Sequence, residues 1–255
     1  MKLEGKTAVV TGAASGIGRA LARRIMAEGA KAVAVADLQE APLNEVAAET
    51  GGLAVVTDVA KEADIRHLVE RTESELGPID VFCSNAGIAE IGSETAPDED
   101  WQRNWDIHLM AHVYAARAVV PGMIERGGGY LVNTASAAGL LTHVYSATYS
   151  VTKHAAVAFA EYLSIAHGNQ GIRVSVLCPQ AVRTAMTQGR EAGVASVDGM
   201  IEPEELADSV IETMDREAFL ILPHPQVLEY MQRKTNDYDR WLGGMRRLRG
   251  SFEEL

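Results

Sequence analysis

Seven short runs along the chain are apolar at most positions: TAVV at 7–10, KAVAVAD ending at Asp37, LAVVTD at 53–58, IDVFCSN at 79–85, YLVNTAS at 130–136, RVSVLCP at 173–179 and FLILP at 219–223. Between them lie amphipathic stretches of helical length, the first from about Ile17 and a charged one reaching about Leu76. Strands that are apolar on both faces and joined by helix-length connections predict a parallel sheet covered by helices on each side. The expectation is a doubly wound α/β sandwich with a mainly parallel sheet of about seven strands, forming one domain over residues 1–255. Such folds bind ligands at the carboxyl ends of their strands. Two regions interrupt the rhythm: a Gly-containing segment at 180–202, expected to be a substrate-binding loop, and a C-terminal extension at 224–255.

The chain has 255 residues, 47% of them hydrophobic, which is enough to bury one large core. Lys and Arg number 23 against 35 Asp and Glu, a formal charge of −12. That charge repels phosphate backbones and anionic lipid, so neither nucleic acid nor a membrane surface is an expected partner. No apolar run is read as long enough to cross a membrane, and the N-terminal stretch lacks a signal-like apolar segment. Cys83 and Cys178 lie in apolar runs, the setting of reduced core cysteines, which predicts a reducing, cytoplasmic compartment. No metal site is expected. A soluble enzyme acting on a small molecule fits this composition.

Candidate chemistry begins where the first strand runs into TGAASGIG, placing Gly12, Ser15, Gly16, Ile17 and Gly18 in a turn and the start of a helix. Glycines there let the backbone approach a pyrophosphate, and the helix start supplies free N–H donors. The same glycines also suit a plain tight turn. Asp37, about twenty residues on, ends the second strand, where a carboxylate accepts hydrogen bonds from both ribose hydroxyls and repels a 2′-phosphate. Leu38 and Gln39 supply no compensating charge. NAD is therefore expected over NADP. Asp58 and Val59 close the third strand, Asp58 as either an adenine contact or a helix cap. Asn85, Ala86 and Gly87 close the fourth, where a flat ring needs close backbone approach.

Tyr149 and Lys153 stand four apart at the start of a helical stretch and share one face. A nearby ammonium favours phenolate, so the expected effect on Tyr149 is a lowered pKa and proton exchange with a substrate oxygen. Taken alone, this spacing equally describes a tyrosine beside a solvated lysine. Ser136 ends the fifth run and can donate to a developing alkoxide, or serve as a turn residue.

Together TGAASGIG, Asp37, SNAG at 84–87, Ser136, Tyr149 and Lys153 resemble the short-chain dehydrogenase/reductase family, over almost the whole chain. The resemblance implies a Rossmann-type fold and hydride transfer to or from a nicotinamide. It further implies Tyr149 as acid/base, Ser136 on the substrate oxygen and Lys153 on the nicotinamide ribose. Pro179, Val182 and Thr184 would then lie along the cofactor, Val182 and Thr184 against the carboxamide. The family usually carries an Asn in the long helix after Trp101; the matching residue here is His108, either a proton shuttle near neutral pH or a structural histidine. Gln180 follows Pro179 where the family commonly has Gly.

By the same resemblance, the substrate walls come from residues 88–91 and 139–145 and from the segment after Gln180. Leu141, Val144, Tyr145, Gln180 and Met186 give them a largely apolar character, with His143 and Glu90 as polar contacts. A hydrophobic secondary alcohol or its ketone is the expected substrate. The runs GRE and ASVDG suggest a mobile flap. The basic tail (Arg233, Lys234, Arg240, Arg246, Arg247, Arg249), interleaved with Tyr230, Tyr238 and Trp241, reads as a helix packed on a neighbouring subunit. The family resemblance implies a homotetramer built on helices around 106–126 and 149–167, with Ala155, Ala156, Ala158 and Ala160 allowing close approach. A rival reading is an NAD(H)-binding regulatory or sensor protein with little turnover.

Overall fold

The computed structural model describes residues 1–189 and 193–252. Seven parallel strands form one sheet: β1 (Thr7–Thr11), β2 (Ala32–Asp37), β3 (Leu53–Val56), β4 (Val81–Ser84), β5 (Gly129–Thr134), β6 (Ile172–Leu177) and β7 (Leu220–Ile221). Their order is β3-β2-β1-β4-β5-β6-β7, with the reversal between β1 and β4. Each apolar run read from the sequence is a strand. Alternate strand residues feed opposite cores: Ala8, Val10, Val33 and Val35 point to one face, Val9, Ala34 and Ala36 to the other. The strands read as continuously apolar because both faces are covered.

On the first face pack α1 (Gly16–Ala27), α2 (Glu40–Thr50) and α8 (Pro203–Asp215); on the second pack α3 (Glu62–Glu75), α5 (Ala111–Glu125) and α7 (Ala147–His167). Helix α5 continues α4 (Asp98–Trp105) through one π-helical turn, Asp106–Met110, which carries His108. The whole helix Asp98–Glu125 is long and apolar enough to span a membrane by length and composition, contrary to the sequence reading. Half of its most apolar window is buried, and Ala111, Ala115, Val119 and Met123 pack in the second core, so its apolarity serves the sheet. Ala156 and Ala160 of α7 are likewise fully buried in their own core. They cannot line a subunit contact as expected; Ala158 is the exposed member of that set.

A short α6 (Ala138–Leu141) follows β5. The tail forms α9 (Gln226–Asn236) and α10 (Tyr238–Gly250). It folds back on its own chain, since Val227 is buried with Ala137 and Leu141, and Tyr230, Met231 and Trp241 pack beside them. Part of its aromatic composition thus serves an intramolecular contact.

The β1–α1 turn depends on one close approach. A Cβ on Gly18 would stand 2.1 Å from the Gly12 carbonyl oxygen and 2.9 Å from the Ala13 Cα, both backbone atoms that cannot swing aside. Gly18→Ala should therefore destabilise the chain by about 1–3 kcal/mol, the usual range for forced overpacking. Chemical denaturation checks this; an unchanged midpoint would show that the turn relaxes freely.

Candidate active site

The carboxyl ends of β1, β4 and β5 are laced together before any catalytic group is placed. The Thr11 hydroxyl accepts from the Asn85 and Ala86 amides at 2.9 and 3.1 Å. The Asn85 side chain donates to the Thr11 carbonyl at 3.1 Å and accepts from the Thr134 hydroxyl at 3.1 Å. Asn85 thus ties three strands. Gly12, at φ +68, lets the turn approach so closely that a Cβ would lie 2.8 Å from the Ala86 Cα.

At the start of α1 the Ser15 side chain makes no capping bond, and Gly16 and Ile17 open the helix with free amides. Such a turn is a fitting cradle for a pyrophosphate. Thr184 reaches it from the other side, its methyl 2.9 Å from where a Gly16 Cβ would be. Val182 is buried and bridges Ile201. Asp37 is held at the edge of the same turn, accepting from the Ala14 amide at 3.2 Å and the Gln39 amide at 3.1 Å. Beside it Leu38 is exposed. Asp58 is engaged by its own loop, accepting from the Ala60 amide at 3.1 Å and pairing with Lys61 at 3.1 Å, while α3 starts later at Glu62. Val59 is buried beside it.

Helix α7 is started by Ser146, whose hydroxyl accepts from the Tyr149 amide at 3.2 Å. This sets Tyr149 in the first turn and Lys153 in the second. The Lys153 ammonium, 3% exposed, donates to the Thr134 carbonyl at 3.1 Å and lies 5.6 Å from the centre of the Tyr149 ring. Burial pushes it down to about 8. The Tyr149 phenol is pushed up by burial, with the Ser136 hydroxyl pulling the other way. The lowering expected from Lys153 does not govern this site, because low-dielectric surroundings penalise phenolate and ammonium alike. Ser136 itself accepts from the Ala138 amide at 3.1 Å and faces the Pro179 carbonyl at 3.5 Å.

His108 stands edge-on to Tyr149, ring centres 5.3 Å apart. Burial, then the Lys153 charge, push its imidazole down to about 2. It is neutral at working pH, so a histidine titrating near neutrality, one of the two readings, is not what the site holds. Its Nε2 lies 3.2 Å from the Ile88 amide and 3.1 Å from the Ile88 carbonyl, and its Nδ1 lies 3.0 Å from the Thr152 hydroxyl. One tautomer accepts from the amide and donates to Thr152; the other donates to the carbonyl and accepts from Thr152. Either way His108 pins the segment after β4 to α7, beside Gly87, whose Cβ position would be 3.8 Å from both His108 and Lys153.

Ser136 and Tyr149 open on a cavity of about 800 Å³ whose lining is mainly apolar. Leu141, Val144, Gln180, Met186, Ala89 and Ile91 line it, in keeping with most of the expected walls. Two expected contacts do not. Tyr145 turns to the chain's end, where its hydroxyl lies within hydrogen-bonding reach of the Arg249 and Phe252 carbonyls and its ring lies under the Arg249 guanidinium. Glu90 pairs with Arg103 at 2.5 Å. Arg190 and Glu191 of the GRE part of the expected flap lie outside the described residues. Of its second part, Asp198 accepts from the Gln180 side chain at 2.9 Å and the Tyr230 hydroxyl at 2.9 Å, tying that loop to α9. The roof over the cavity, from Tyr230 in α9 to Trp241, Met245 and Leu248 in α10, was missed as a binding surface. Its signal in the sequence was the apolar spacing 241, 245, 248 on one helical face.

The short chain dehydrogenase family profile matches residues 6–195. The chain belongs to that family. It is 36% identical to a 1-deoxy-11-beta-hydroxypentalenate dehydrogenase of Streptomyces avermitilis, over 95% of this chain and 93% of that one. It is 38% identical to a 2,5-dichloro-2,5-cyclohexadiene-1,4-diol dehydrogenase of Sphingobium indicum, over 79% and 83% of the two chains. A short chain dehydrogenase/reductase of Burkholderia phymatum, solved in complex with NAD, superposes with a TM-score of 0.87 at 26% identity, covering 94% of this chain and 96% of that one. The chain is thus an oxidoreductase of a family that acts on hydroxyl or ketone groups with a nicotinamide cofactor.

The Lys153 shift carries a sign that can be tested. A folded-state value below the ordinary one penalises the folded chain fully below about pH 8, and the penalty fades as pH rises toward the unfolded value. Lys153→Met keeps the stem and removes the charge. It should raise the melting temperature of the cofactor-free protein at pH 7, with the gain shrinking above pH 8. A lower melting temperature at pH 7 would contradict this.

Proposed function

We propose that the chain is an NAD(H)-dependent oxidoreductase that interconverts a hydrophobic secondary alcohol and its ketone, with Tyr149 as acid/base. The observation that carries this is that Ser136 and Tyr149 line one apolar cavity, with the Lys153 ammonium 5.6 Å from the centre of the Tyr149 ring. A bound nicotinamide would supply the donor or acceptor of the hydride exchanged at the substrate carbon. In ketone reduction the neutral phenol of Tyr149, which burial favours, protonates the substrate oxygen. Ser136 donates a hydrogen bond to that oxygen as charge develops on it. Lys153 would hold the ribose of a bound nicotinamide cofactor, and its ammonium favours the phenolate that oxidation needs. His108 acts by positioning, holding Ile88 and Thr152 in place.

Asp37 carries the choice of cofactor. Its oxygens are oriented by two backbone amides and keep lone pairs for the ribose hydroxyls. The substrate class follows from the cavity, and the relatives named for a hydroxypentalenate and a cyclohexadiene diol support a hydroxylated carbon frame. A homotetramer is supported by α7, which exposes Val151, Tyr162 and Ile165. Free, buried Cys83 and Cys178 support a reducing, cytoplasmic setting.

The test is nicotinamide absorbance with a panel of cyclic, terpenoid, steroid and aryl ketones and alcohols. NADH is expected to be used and NADPH disfavoured. Asp37→Ala should narrow that gap, and Asp37→Ala with Leu38→Arg should reverse it, each step by roughly ten- to hundredfold in kcat/KM. Equal use of both cofactors by the unaltered protein would overturn the role of Asp37. Cofactor binding without turnover of any compound would favour a regulatory protein.

A further inference from the structure

The cavity over Ser136 and Tyr149 holds more positive charge than an apolar alcohol requires. Three arginines line it, Arg233, Arg240 and Arg247, all from α9 and α10. Among the described residues the carboxylate that lines it is Asp237, which caps α10 by accepting the Arg240 amide at 2.9 Å. Asp198, just outside, is occupied by Gln180 and Tyr230. Arg233 pairs with Glu229 at 3.2 Å. Arg240 and Arg247 form no ion pair with a carboxylate among the described residues, in a chain whose formal charge is −12.

Their position is set by helix geometry. Residues 240, 244 and 247 form one row of α10, and 241, 245 and 248 the next; all six line the cavity. Arg240 and Arg247, both exposed, therefore stand at the rim of the cavity on the α10 face that carries Trp241, Met245 and Leu248, while Ser136 and Tyr149 hold the other wall. An apolar lining with one charged end selects an apolar frame with one charged end. The guanidinium fork matches a carboxylate with two parallel hydrogen bonds.

Building on the oxidoreductase reading above, we propose that the substrate carries a carboxylate on an apolar frame, remote from its reacting carbinol or ketone, and that Arg240 and Arg247 receive it. The probes are a keto bile acid and benzoylpropionate, each compared with its own methyl ester. Steady-state reduction with NADH and calorimetric binding to the enzyme–NADH complex are measured for the unaltered protein and for Arg240→Gln with Arg247→Gln. The acid should be preferred over its ester by roughly ten- to hundredfold, mainly through KM. The double substitution should bring that ratio toward one, and added salt should erode it. Acid and ester reduced alike, or an acid preference that survives the double substitution, would overturn the proposal and leave the oxidoreductase reading intact. Arginine-dependent binding of the acids without turnover of any compound would uphold the anion site and overturn the oxidoreductase reading. Neither turnover nor acid-preferring binding would overturn the anion site.

Discussion

An ammonium, a phenol and an imidazole share one small space at the carboxyl edge of β5, the lysine and the histidine buried and the tyrosine half-buried at the cavity wall. Lys153 has the Thr134 carbonyl as its hydrogen-bond partner, Tyr149 has the Ser136 hydroxyl nearby, and His108 is fully buried. Burial penalises the charged form of each group, which moves the lysine and the histidine down and the tyrosine up. The site is therefore built to start from a neutral phenol. That state suits the delivery of a proton to a ketone oxygen. His112, one turn beyond His108, is pushed down to about 3 by burial and then by the same ammonium.

The rest of the fold can be understood as what holds this arrangement in register. Thr11 and Asn85 join β1, β4 and β5 at their ends, so the glycine turn and the Lys153 pocket cannot drift apart independently. Close backbone approach at Gly12 and Gly18 brings α1 to the same edge. His108, carried on a π-helical turn, bridges the chain after β4 to α7 through Ile88 and Thr152. π-Turns inside helices commonly mark functional sites, because they rotate one side chain away from its regular position. Here the rotated residue is a pin between two elements that carry the chemistry.

Local patterns in the sequence carried the machinery that depends on neighbours along the chain. TGAASGIG predicts the turn from glycine stereochemistry, Asp37 falls at a strand end by spacing, and Tyr149 and Lys153 share a face because they are four apart on a helix. What depends on distant contacts did not follow. The tail's own packing made it a roof over the cavity, since Val227 and Trp241 meet residues of α6 that lie 86 to 101 positions away. The orientation of Tyr145 is fixed by carbonyls at the far end of the chain. Helical spacing alone could not tell which α7 alanines face the sheet, and Ala156 and Ala160 do. The direction of the Tyr149 shift followed burial, whereas sequence spacing reported its neighbouring charge.

The central claim is that one proton, on one hydroxyl, is exchanged with the substrate oxygen. Tyr149→Phe removes that hydroxyl while keeping the ring that packs against His108 and Lys153. Steady-state kcat, measured beside NADH affinity by fluorescence titration, tests the claim most directly. The account predicts a fall in kcat of about a hundredfold or more with cofactor affinity little changed. Turnover near that of the unaltered protein would contradict it.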